Sequence, residues 1–287
     1  MGAVMDPLSF SDATELRARV QIGRLDILAS ERADISVSVQ PTHRNRAGDQ
    51  AAAAAVRVER TGNVVSVIGP SKLNLFGPGD SVDVVVGVPL DATVDAEVTY
   101  GSMGLTGVVG RTRLAAPYGA VSVERAARLE VRSGHGDVRI DQVEGDADVS
   151  SKSGSVRIGQ VGGELRLKGT DTNLRVDLVD GPADISTSSG AAELGRFGSG
   201  LTLRASYGNV RIGELVRGAT RIEGSYGSVN VGVRRGTAVW LDASSSYGTV
   251  RTDLAADGGP AEGEDSLELR VHTGYGNITV QRSTLMA

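Results

Sequence analysis

The chain has 287 residues, with 30 Lys and Arg against 35 Asp and Glu and a formal net charge of −5, a balance that opposes a general nucleic-acid binder. It has no cysteine, so neither disulfides nor thiolate metal sites hold it together. Aromatic residues make up only 3% of it while glycines number 39, which excludes a core of large aromatic clusters and points to many turns.

The first twenty residues, with Asp6, Asp12 and Glu15, hold no apolar segment of the kind found in a secretory signal. No run approaches the ~18 consecutive apolar residues of a membrane span. A soluble, cytoplasmic protein is the expectation. Residues 1–95 read as irregular β-rich coils or an antiparallel β cap: Gly23 followed by Leu25 and Ile27 copies a later phrase, and strand-like runs occur at 35–39, 64–68 and 82–86. Residues 41–49 are expected to project as a loop and 51–55 to form one helical turn.

From residue 96 to 287 the pattern is a regular β-solenoid. A glycine slot recurs at 101, 119, 136, 154, 190, 208, 227, 248 and 276, with Thr172 filling the place between 154 and 190. A period of about 18 is the mark of a solenoid. Two and four residues after the slot stand apolar columns such as Val138, Val156, Val210 and Ile140, Ile158, Ile212, while five and seven before it stand Val149, Leu167, Leu203 and Ala147, Leu165, Leu201. Spacing by two with β-branched enrichment predicts two strands per coil, joined by turns at the slot and at a second glycine ladder nine residues on. Equivalent strands then stack in parallel, giving an all-β, right-handed parallel β-helix of about 18 residues and two main strands per coil. Residues 253–265 read as a mobile loop insertion. The final strand, 277–280, is followed by seven residues, too few for a cap. The C-terminal solenoid end is therefore the expected contact for a homo-oligomer, a two-fold dimer being preferred.

All six tyrosines precede a slot glycine, and Tyr207, Tyr226, Tyr247 and Tyr275 are expected to stack in four successive coils. Downstream strand parity points their rings outward. Stacking that stiffens the edge is the preferred reading, and a recognition surface the sharper one. Arg139, Arg157 and Arg175 form an outward basic column that offers a possible interaction surface, with Asp137, Asp141 and Asp177 alongside to neutralise it. His43, His135 and His272 lack metal-like spacing, and no nucleophile-elbow or phosphate-loop pattern occurs. No catalytic, metal or cofactor site is expected. Asp137, Arg139 and Asp141 invite comparison with carbohydrate-active β-helix enzymes, but on fold analogy alone.

The phrase His135-Gly136-Asp137-Val138-Arg139-Ile140, repeated as Ser153-Gly154-Ser155-Val156-Arg157-Ile158, resembles the bacterial putative-adhesin family of β-strand-repeat proteins, a domain of unknown function. The resemblance covers nearly the whole chain. It implies a β-helical fold and a surface or scaffold role, and it supplies no catalytic residues. The leading expectation is a non-enzymatic β-solenoid scaffold or protein-interaction module, with self or an unidentified protein as partner. An adhesin-like surface binding protein is the alternative.

Overall fold

Period-two alternation dominates the chain, and the computed structural model, which describes residues 7–70, 79–254 and 264–284, resolves it into strands throughout with one helix among those residues. Two compact units form, Met1–Gln142 and Val143–Ala287.

The first unit runs β1 (Leu8–Ser11), β2 (Glu15–Ser30), β3 (Asp34–Pro41), α1 (Ala47–Ala54), β4 (Arg57–Thr61), β5 (Val64–Ile68), β6 (Val82–Pro89), β7 (Thr93–Tyr118) and β8 (Val121–His135), and ends in β9 (Val138–Val143). Strand β2 is a full coil bent at Gly23. Both of its halves pair in parallel with β7, and on the other side its first half pairs with β5 and its second with β6. Antiparallel strands then follow, β4 on β5, β3 on β6 and β1 on β3. Parallel coils and an antiparallel margin thus coexist in this unit.

Residues 42–45 are exposed as the expected loop, but its far end is tied down. Asp49 is fully buried at the start of α1, where its carboxylate accepts from His43 N (3.0 Å), His43 Nδ1 (2.8 Å) and Ser81 N (3.0 Å), with the Arg46 guanidinium 3.3 Å away. The helix spans 47–54 rather than the single turn expected, because this carboxylate ties its first turn to the start of β6. Burial pushes the Asp49 carboxyl up, yet the Ser81 and His43 donors together outweigh it and hold the pKa below 3.8. Its contribution to stability is therefore complete above the unfolded value and is lost as pH falls through the lower folded one. Asp49→Ala is expected to cost about 2–4 kcal/mol by leaving the His43 and Ser81 amides without their acceptor, while Arg46 keeps the Gly79 carbonyl and Asp80. Chemical denaturation at neutral pH checks this, and a loss below about 1 kcal/mol would refute the structural role assigned to Asp49.

The second unit comprises β10 (Ala147–Val161) and β11 (Leu165–Val179), each a whole coil, then five coils split at the slot: β12 (Ala183–Ser189) with β13 (Ala192–Phe197), β14 (Leu201–Tyr207) with β15 (Val210–Leu215), β16 (Gly218–Tyr226) with β17 (Val229–Val233), β18 (Ala238–Tyr247) with β19 (Val250–Thr252), and β20 (Ser266–Tyr275) with β21 (Ile278–Arg282). Their pairing is parallel and mostly in register, so Leu165, Ala183 and Leu201 align on one sheet and Leu174, Ala192 and Val210 on the other. Inward residues are buried, Val156 at 0% and Ile158 at 1% exposure, whereas Arg157 between them is exposed. A third inward column, Val161, Val179, Phe197, Leu215 and Val233, at the ends of β10, β11, β13, β15 and β17, is also fully buried and closes the core there.

Glycine is required at the slot by close stacking. Gly208 has φ +140°, and a Cβ there would sit 2.0 Å from the Gly190 carbonyl oxygen; Gly227, at +142°, meets Gly208 in the same way. Each slot thus packs against the one beneath it.

The coils do not stack in sequence order. β20 lies between β16 and β18, and β21 lies between β17 and β19. The last coil of the chain is therefore interior, and the coil of residues 238–252 is outermost among the described residues. This overturns the expectation that 277–280 is the open strand. The insertion expected at 253–265 falls between β19 and β20, and its residues 255–263 lie outside the described residues.

Candidate functional site: the outward tyrosine ladder

In β14 the inward residues are Leu201, Leu203 and Ala205, and simple alternation would carry Tyr207 inward after them. The chain bends at Gly208 first. The ring consequently leaves the sheet outward and is 59% exposed. Parallel register then sets Tyr207 beside Tyr226, Tyr226 beside Tyr275, and Tyr275 beside Tyr247. Ring centroids are 5.1, 4.8 and 4.5 Å apart with interplanar angles of at most 7°. The order is thus 207, 226, 275, 247, a correction to the sequential order expected, and its cause is the interior position of β20. Beneath Tyr207 the same position holds Ser189, Asp171 and Ser153, where the ladder stops. In the first unit Tyr100, Tyr118 and His135 form a shorter stack.

Stacking decides what the ladder can bind. Tyr226 and Tyr275 have both ring faces covered by neighbouring rings, so a sugar cannot lie flat on them. Their edges and hydroxyls remain free, in a row at strand spacing. Such a row suits a partner that offers hydrogen-bond acceptors and apolar groups along a line.

The arginine column is more nearly neutral than its sequence spacing suggests. Arg139 pairs with Asp141 at 3.0 Å in the first unit, and in the second Arg175 reaches Asp177 at 3.1 Å and Glu193 at 3.5 Å. Arg157, in register with Arg175, contacts the Ser155 hydroxyl at 3.4 Å. These are exposed contacts, each worth at most about 1 kcal/mol.

Interior placement of β20 also creates a side-chain row that chain order hides. Glu223 on β16, His272 on β20 and Ser244 on β18 occupy one rung, and the Ser244 hydroxyl lies 3.0 Å from His272 Nδ1. Glu223 is ion-paired with Arg221 at 2.6 Å, and that guanidinium holds its carboxyl below the ordinary value. A hydroxyl, imidazole and carboxylate in sequence suggest acyl-transfer chemistry, but here Ser244 and His272 are exposed on an open sheet face rather than enclosed in a cleft. The 28-residue step between Gly248 and Gly276 is the one sequence signal that marks this rearrangement. On the neighbouring rung Arg270 lies over the Trp240 ring, 5.5 Å from its centroid. Among the described residues no group of three or more His, Cys, Asp or Glu could hold a metal, and no helix is long and apolar enough to cross a membrane.

A family model described as Toastrack DUF4097 matches residues 23–281. No curated protein matches the sequence. Similar solved structures include a putative lipid binding protein from Parabacteroides distasonis (12% identity, 96% of this chain and 97% of that one, TM-score 0.46) and a putative adhesin from Bacteroides fragilis (12% identity, 96% and 97%, TM-score 0.37). A putative cell adhesion protein from Clostridium sporogenes is also similar, at 12% identity, 96% and 100% coverage and a TM-score of 0.21.

Proposed function

The chain belongs to the Toastrack family, DUF4097, and on that premise we propose that it is a non-enzymatic β-solenoid interaction module whose tyrosine ladder is the recognition surface. One observation carries this reading: four rings stacked in near-parallel planes, 46–67% exposed, stand outward on one corner of the second unit. Since stacking covers both faces of Tyr226 and Tyr275 and one face each of Tyr207 and Tyr247, the partner docks along the row of phenol edges and hydroxyls. A protein surface fits that chemistry better than a sugar ring. Arg139, Arg157 and Arg175 lie outside the four coils that carry the ladder and are solvated charges rather than the source of such contacts.

Replacing Tyr226 and Tyr247 with Ser removes all three stacked pairs. Serine already occupies the equivalent place at 153 and 189, so the fold is expected to persist, with a loss of about 1–3 kcal/mol. Circular dichroism and thermal melting check this part. Affinity capture compared between the native and doubly substituted protein checks the rest: an intact β spectrum with selective loss of bound proteins supports recognition, and an unchanged set of bound proteins refutes it. Fractionation distinguishes the scaffold, recovered from the cytoplasm, from an adhesin, recovered outside the cell.

A further inference from the structure

We propose that the outermost coil of the second unit, β18 with β19, is a self-association surface at which two copies pair edge to edge about a two-fold axis. This stands independently of the tyrosine-ladder reading. It begins with a comparison of two neighbouring coils in register. Leu267, Leu269, Val271, Ile278 and Val280 of the β20–β21 coil are all at most 2% exposed. Their partners in the β18–β19 coil are Val239, Leu241, Ala243, Val250 and Thr252. None of these five is buried, and Val250 is 41% exposed. The columns have the same inward placement, and what differs is a further coil to cover them.

The strand edges carry the same message. Among the described residues β18 pairs with β20 and β19 with β21, each on one side. Their outer N–H and C=O groups remain available along a ten-residue strand and a three-residue one. Residues 238–252 contain no proline or lysine, and their charges are Asp242 and Arg251 alone. The devices that normally blunt an edge are therefore weak here. The outer strands of the first unit differ: β1 is four residues long and follows Pro7, and β4 carries Arg57, Glu59 and Arg60 within five residues.

The occupant follows from the two-layer shape of this surface. A single extended peptide satisfies one strand edge and leaves the other edge exposed with its apolar column. A body that ends in two strands at the same separation covers both, and a second copy of this coil has that separation by construction. Two-fold pairing sets β18 antiparallel to the same strand of the other copy, keeps inward columns opposite inward columns, and closes after two subunits. Pairing with the charged, blunted strands of the first unit would instead propagate without closing.

Sedimentation equilibrium across a wide concentration series tests this on the full chain. The native protein is expected to approach twice the monomer mass, and Leu241→Lys with Val250→Lys to remain monomeric with an unchanged β spectrum. Should the double variant misfold, cross-linking decides: because the chain lacks cysteine, Asp242→Cys and Arg251→Cys, made singly at the exposed strand centres where antiparallel two-fold pairing brings a residue beside its own copy, are expected to form disulfide-linked dimers under mild oxidation while Arg157→Cys does not. A native protein that stays monomeric throughout would overturn the proposal. So would a mass that grows past two subunits, or cross-linking that is as efficient from position 157.

Discussion

Ile158→Asp is expected to unfold the second unit or destabilise it by more than about 4 kcal/mol, whereas Arg157→Ser, one residue away, is expected to change stability by less than about 0.5 kcal/mol. Ile158 is 1% exposed and stands beside Val176 in the inward column, with no cation on that face to pair a carboxylate. The aspartate must either remain charged in an apolar layer or take up a proton, and both cost stability. It also removes the methyl groups that fill the space between two sheets. Arg157 points the other way, and its contact with the Ser155 hydroxyl is long and solvated. Thermal denaturation of the two variants measures the contrast. Similar losses for both would mean that the alternation of inward and outward residues has been misassigned.

That alternation was legible because each rung repeats it. A residue two or four places after the slot meets its equivalents above and below, so Val138, Val156 and Val210 disclose a column that no single strand would. The third column was hidden by the same rule. Val161, Val179, Phe197 and Leu215 stand seven residues after the slot, an odd offset where the columns two and four after it are even, and the chain turns between Ile158 and Val161 to bring them inward. The outward tyrosines illustrate a local conflict: parity from downstream points them out, parity from upstream points Tyr207 in, and the bend at Gly208 decides. Asp49 lay beyond sequence reasoning because its burial depends on Ser81, 32 residues away and outside the repeat. The order of the last two coils was equally hidden. Residues 238–252 and 266–282 present similar inward columns to β16 and β17, so packing alone permits either to dock first. What favours the observed order is that Leu269, Val271, Ile278 and Val280 fill the interior better than Leu241, Ala243, Val250 and Thr252, placing the weaker coil where burial is incomplete.

Proline scanning of these two coils is the decisive test of that order. Ile278→Pro is expected to cost more than about 4 kcal/mol, because Ile278 is fully buried between Val229 and Val250, and its N–H donates to the Thr249 carbonyl at 2.9 Å. Proline removes that donor, truncates a buried side chain and disturbs a strand paired on both sides. Val250→Pro should be far milder, within about 1–2 kcal/mol. Residues 249 and 253 exchange hydrogen bonds with β21, since Ile278 donates to Thr249 and Asp253 N donates to Val280 O at 3.2 Å, so the Val250 amide between them faces away from the ladder. An outward amide on an edge strand is where proline is tolerated. Thermal melts at low protein concentration, where any edge-to-edge pairing is dissociated, compare the two variants directly. Stacking in chain order would reverse the ranking, with Val250→Pro striking an interior strand and Ile278→Pro an edge. A milder Ile278→Pro would therefore return the open end to the last strand and remove the basis for placing self-association on β18 and β19.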